Sequence, residues 1–181
     1  MCGISGIYNC SGNDINQKTI IENIIKLQDK RGPDDRGTWE SESKKIIFGH
    51  NRLSIIDLTN KARQPLVSKD NNLVITFNGE IYNYKEIRNE LSNNKVTFKS
   101  NSDTEVILES YKYWGIEFVK KLRGMFAFAI WDNIKQKLIL ARDPFGIKPL
   151  YFFKKNNILF FASQVKSILS IENLSFEKSG R

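Results

Sequence analysis

Across its 181 residues the chain has one histidine, two cysteines and four prolines, and no apolar run approaches membrane-spanning length. Each scarcity removes a class of explanation. His50, Cys2 and Cys10 are too few to build a Cys/His metal site. The N-terminus has no basic segment followed by an apolar stretch, so nothing reads as a secretory signal, and a disulfide between the two thiols is not expected. These absences predict a soluble, cytoplasmic protein with no membrane partner. Charge of one sign is in excess but not concentrated. Lys and Arg number 28 against 20 Asp and Glu, a formal +8, yet the lysines come singly or in pairs such as Lys44-Lys45 and Lys154-Lys155. Nucleic-acid surfaces cluster their cations against phosphate, so no nucleic-acid partner is expected.

What is present is the composition of one globular domain, 40% hydrophobic and 27% charged, long enough to bury a core without staples. Residues 4–9 read as a buried strand closed by a turn at 11–14. Ile20, Ile21, Ile24, Ile25 and Leu27 recur at helical spacing, and that helix ends before Arg31-Gly32-Pro33-Asp34. Short β-rich runs follow at 38–39, 45–53 and 73–77, with an irregular stretch at 57–68. Residues 84–91 read as a helix and 96–99 as a strand. Ser102-Asp103-Thr104-Glu105 opens a further helix as a capping box, its inner face formed by Val106, Ile107, Tyr111 and Trp114. Strands are expected at 125–131, 137–141, 150–153 and 158–162, then a short helix at 164–169. Strands on both sides of helical insertions predict an α+β layered sandwich of two sheets with helices outside.

Cys2 carries the most chemical information. Removal of Met1 would place a thiol nucleophile and an α-amine on one residue, and such an amine, with a reference pKa of roughly 7.7 to 8.0, can serve as the base. A small apolar residue at a strand start is the plainer reading. Asn78-Gly79-Glu80 reads as a tight turn, or as an Asn side-chain amide and a Gly N–H converging on one oxyanion. Arg52 sits at a strand end, where its guanidinium would clamp a carboxylate or make a surface ion pair. Asp103 at a helix start is either an N-cap or the partner of an ammonium. His50 invites a Cys/His hydrolase, although its apolar neighbours favour a structural role. Cys10 reads as a small buried or half-buried side chain ending the first strand. Arg142 and Asp143, in a loop with two prolines, read as structural charges.

Taken in order, Met1-Cys2-Gly3-Ile4, Arg31-Gly32-Pro33-Asp34, His50-Asn51-Arg52-Leu53-Ser54-Ile55, Gln64-Pro65-Leu66, Asn78-Gly79-Glu80-Ile81-Tyr82-Asn83, Ser102-Asp103-Thr104-Glu105, Gly124-Met125-Phe126-Ala127-Phe128 and residues 143–150 resemble the class II glutamine amidotransferases. The likeness is strongest to the glutaminase domain of glutamine-hydrolysing asparagine synthetase and runs from Met1 to about Leu169. It implies a four-layer αββα sandwich of two mainly antiparallel sheets, of the N-terminal nucleophile hydrolase type, over residues 1–181. It implies that Cys2 is the nucleophile and that Asn78 and Gly79 bind the oxyanion. Arg52 and Asp103 would hold the α-carboxylate and α-ammonium of L-glutamine, with Leu53, Ser54, Ile55, Ile56 and Glu80 lining the pocket.

The implied reaction is hydrolysis of glutamine to glutamate and ammonia through a Cys2 thioester. The ammonia would supply asparagine synthesis from aspartate or a related amidation. No metal or organic cofactor is expected for that step. ATP and magnesium belong to a synthetase domain or partner subunit, whose Ser-Gly-Gly-rich pyrophosphate loop is not in this sequence. Two smaller departures are Lys30, where many relatives have histidine, and Gln164, where glutamate is frequent. A non-catalytic glutamine-binding or partner-binding module is the alternative expectation.

Overall fold

The computed structural model describes residues 1–10, 15–54 and 62–171. The expected turn at 11–14, part of the irregular stretch, Ile55, Ile56 and residues 172–181 lie outside them. Among the described residues nine strands form two sheets. The first contains β1 (Gly3–Asn9), β2 (Asp35–Glu40), β3 (Ile46–Arg52), β8 (Tyr151–Lys155) and β9 (Ile158–Ala162), in the order β2-β3-β1-β9-β8. The second contains β4 (Leu66–Val67), β5 (Leu73–Ile81), β6 (Gly124–Asp132) and β7 (Lys137–Arg142), in the order β4-β5-β6-β7. Every neighbouring pair is antiparallel.

The sheets are stacked because both faces of each are apolar. In β3, Ile46 and Phe48 face the second sheet and pack with Val74, Ala129, Trp131 and Phe161. Ile47 faces the other way and joins Ile7, Ile21, Ile24 and Phe160 beneath the first helix. That helix, α1 (Gln17–Leu27), is capped by the Asn16 side chain accepting from Thr19 N–H. Over the second sheet lie α2 (Tyr84–Asn93) and α3 (Asp103–Trp114), burying Ile87, Leu91, Val106, Ile107 and Tyr111 against Ile75, Phe126, Phe128 and Ile130. The short helix α4 (Val165–Leu169) rests beside α1. The layers therefore run helix, sheet, sheet, helix, as expected. Gly6 leaves room for its cross-strand partner, since a Cβ there would lie 2.3 Å from the Phe161 ring.

Several sequence readings change. Residues 96–99 are not a strand: Val96 and Phe98 pack under the helical layer as coil, and Arg88 stacks over Phe98 at 4.2 Å. Leu27 is exposed, because α1 gives way there to a single 3₁₀ turn, Asp29–Arg31. Cys10 is exposed rather than buried. Asn78 and Gly79 are not a turn: β5 continues through them to Ile81, held in register by β6.

Candidate active site

The start of β1 and the ends of β3 and β5 meet at one rim of the sandwich. There Cys2, Arg52, Leu53, Asn78, Gly79, Glu80 and Asp103 line a single cleft of about 110 Å³, together with Met1, Gln64, Ser102, Thr104, Met125 and Lys148. Antiparallel pairing of β1 with β3 sets Gly3 opposite Asn51 and brings Cys2 to the chain that follows Arg52. The Leu53 N–H donates to Cys2 Sγ at 3.3 Å, while the thiol approaches the Leu53 carbonyl at 3.6 Å. The Arg31 guanidinium donates to the Cys2 carbonyl at 2.9 Å. Burial raises the Cys2 thiol pKa, and the Leu53 N–H, the N-terminal amine, Arg52 and Arg31 oppose that rise. Ser54 gives its N–H to Asp34 at 2.8 Å.

Asn78 is 2% exposed, and its Nδ2 has no hydrogen-bond partner. A buried donor left unpaired costs about 1–3 kcal/mol, so this amide is poised for an acceptor arriving in the cleft. Gly79 is a glycine for a reason the sequence reading did not give. A Cβ there would meet the Met125 carbonyl oxygen at 2.3 Å and Phe126 Cα at 2.7 Å, so the missing side chain lets β5 and β6 touch. The same pairing aims the peptide. Phe126, opposite Gly79, exchanges hydrogen bonds with Asp143 on its far side. The Gly79 N–H and C=O therefore turn away from β6, toward the strand edge that lines the cleft.

Two aspartates with little exposed surface differ in how deeply the surrounding protein desolvates them. Asp143 takes backbone N–H bonds from Lys148, Ile147, Phe126 and Phe145; burial alone would raise its pKa, but the donors together hold it below the usual range. Asp103 also has backbone donors, chiefly Ile81 N–H at 3.1 Å. Burial wins, and its pKa is pushed up to about 6. Asp103 is not the N-cap. Ser102 takes that place, accepting from Glu105 N–H, which leaves the Asp103 carboxylate lining the cleft. The Glu105 side chain bonds Lys99 and Ser100 N–H instead of closing the box on Ser102.

His50 stands outside the cleft lining and is fully buried between the sheets. Its Nε2–H donates to the Phe77 carbonyl at 3.1 Å, and burial drops its pKa to about 4. Such a ring is a poor base near neutrality. Lys148 and Gln64, which the sequence reading gave no role, do line the cleft. Lys148 arrives because Asp143 anchors its loop. Among the described residues no group of three or more His, Cys, Asp or Glu could hold a metal ion, and no helix is long and apolar enough to cross a membrane.

A family model described as a glutamine amidotransferase domain matches residues 1–180. The chain belongs to that family. It is 45% identical over 175 residues to asparagine synthetase [glutamine-hydrolyzing] 1 of Bacillus subtilis, covering 96% of this chain and 27% of that protein. It is 38% identical to amidase chry2 of Gibberella zeae, covering 94% of this chain and 26% of that one. The chain thus spans about a quarter of the length of these curated relatives. Among solved structures, it resembles the glutamine phosphoribosylpyrophosphate amidotransferase of B. subtilis complexed with ADP and GMP. The TM-score is 0.76 at 24% identity, over 92% of this chain and 43% of that one. A structure of the allosteric regulatory enzyme of purine biosynthesis gives a TM-score of 0.78 at 21% identity over the same shares. This amidotransferase domain therefore has the two-sheet layered fold of those enzymes.

Proposed function

We propose that this amidotransferase domain hydrolyses L-glutamine to glutamate and ammonia, with Cys2 as nucleophile once Met1 is removed. Removal also clears Met1 from the cleft wall. The Cys2 α-amine takes the thiol proton as Sγ attacks the side-chain amide carbon. Negative charge on the amide oxygen is met by Asn78 Nδ2 and Gly79 N–H. The aminium then protonates the leaving nitrogen, the C–N bond breaks and ammonia departs, leaving a γ-glutamyl thioester. Water, deprotonated by the same amine, adds to the thioester, and C–S cleavage returns the thiol and releases glutamate.

Arg52 holds the α-carboxylate in this reading, and Asp103 holds the α-ammonium, whose charge offsets the burial that keeps its carboxyl pKa high. Leu53 and Glu80 shape the walls, while Ser54, outside the lining, is tied to Asp34 through its N–H. The observation that carries the reading is the buried, unpartnered Asn78 amide in one cleft with Cys2, Arg52 and Asp103. The ammonia serves a synthetase domain or subunit that amidates aspartate or a related carboxylate, which fits the names of the asparagine synthetase relatives. ATP and magnesium act there and not in this cleft. The test is glutamate release by matched proteins starting at Met1 and at Cys2, with circular dichroism confirming that both fold. Only the Cys2-start protein should turn over; comparable rates would remove the α-amine from the mechanism.

A further inference from the structure

Among the described residues the edge of β5 beyond β4 has no neighbouring strand, since β4 ends toward its N-terminus at Leu66 and the preceding Pro65 has no N–H to offer. That edge is held on both sides of Gly79. At Phe77 the N–H goes to Gln64 Oε1 at 2.6 Å, and the carbonyl accepts His50 Nε2–H at 3.1 Å. At Ile81 the N–H goes to Asp103. Gln64 also reaches Thr104 Oγ1 at 3.4 Å, tying the edge to the start of α3. One residue before Phe77, Thr76 Oγ1 donates to the Gly49 carbonyl across the sandwich at 3.4 Å. At Phe77, then, both the edge-facing N–H and the carbonyl are taken by side chains, and this residue immediately precedes Asn78.

Packing does not account for a histidine at position 50. Its Nδ1 is buried without a partner, whereas an aliphatic side chain would fill the space with no orphaned nitrogen. The donor to Phe77 does account for it. We propose that His50 and Gln64 are positioning residues that fix the β5 edge so that the Asn78 amide and the Gly79 N–H aim at one oxygen. This rests on the glutaminase reading above. His50 links β3, which carries Arg52, to β5, which carries the oxyanion donors. Substrate grip and transition-state grip thereby keep one relative geometry. Neither residue exchanges a proton with substrate.

The test measures kcat and KM for glutamine in Cys2-start proteins carrying His50→Leu, His50→Gln or Gln64→Ala. It also measures affinity for the γ-aldehyde analogue of glutamine, whose Cys2 adduct places an oxygen where the oxyanion forms. A misplacement of about 1 Å can cost about a hundredfold in rate. His50→Leu and Gln64→Ala should each lower kcat by about tenfold or more while KM stays within about twofold. Aldehyde affinity should fall in proportion to kcat. His50→Gln, whose Nε2 replaces the lost donor, should recover most of the loss and keep the parent's pH profile. Unchanged kcat in the variants, a loss confined to KM, or a folded His50→Gln as impaired as His50→Leu overturns the positioning role. If His50→Leu does not fold, Gln64→Ala, at a half-exposed site, decides alone. A Cys2-start parent without glutamine turnover overturns the glutaminase reading and this inference together; an active parent with unaffected variants overturns only the inference.

Discussion

The two ends of the sandwich are built from the same strands and could hardly differ more. At the end away from Cys2, four hairpins join β2 to β3, β4 to β5, β6 to β7 and β8 to β9 within five residues or fewer. Left-handed residues lie in those turns: Lys44, Asn71, Gln136, Asn156 and Asn157. Their polar groups are spent locally. Asp132 accepts from Ile134 and Lys135 N–H, Asp70 from Asn72 N–H and the Ser68 hydroxyl. At the opposite end the connections are long or lead into helices, and polar groups such as Asn78 Nδ2 stay unmatched. Tight turns at one rim hold the strand ends rigidly at the other, where the chemistry can sit without having to close the fold.

The largest effect that would sharpen this contrast comes from the two cysteines flanking β1. Cys2→Ala should abolish glutamate release, while Cys10→Ala, at the hairpin end, should leave kcat nearly intact. Equal losses would erase the distinction between the ends. Next in size, Asn78→Ala should lower kcat by the equivalent of about 2.7–4 kcal/mol with little change in KM. A pure KM effect would remove the oxyanion role.

Smaller is the pH response. Folding raises the Asp103 pKa from 3.8 to about 6, so its contribution to stability is fully present below 3.8 and fades as pH rises through about 6. Binding runs the opposite way, because only the carboxylate attracts an ammonium. KM for glutamine should therefore climb as pH falls through about 6, and Asp103→Asn should raise KM and flatten that climb. A parent KM independent of pH across this window would detach Asp103 from the substrate. Smallest of all, Lys44→Gly relieves a left-handed φ of 54° worth about 1–2 kcal/mol but gives back about 0.5–1 in unfolded-state freedom. Its unfolding free energy should shift by no more than about 1.5 kcal/mol, with kcat unchanged. A change in kcat would show that the hairpin rim is coupled to the cleft.

The sequence displayed the layers because apolar residues fall on both faces of the strands, and it displayed Cys2 because position makes that residue unusual. It misled wherever a local signal competed with a distant partner. Asn-Gly is a strong turn signal, but β6 pairs across both residues and keeps them extended. Val96 and Phe98 look like strand residues, yet the helical layer claims their side chains. At the start of α3 the capping-box reading did place Ser102 at the cap, as found, and only the reading of Asp103 as the N-cap falls away. The grips of His50 and Gln64 on Phe77 were out of reach, since they depend on where β4 ends.

The β8–β9 hairpin has one more consequence, for engineering. Asn156 and Asn157 form the whole connection, both in the left-handed region, at the rim opposite Cys2. Closing a longer loop costs only about 0.6 kcal/mol per doubling of its length. A reporter peptide or fluorophore tether spliced between these two residues would thus ride on the amidotransferase domain with its cargo facing solvent, leaving the cleft unencumbered.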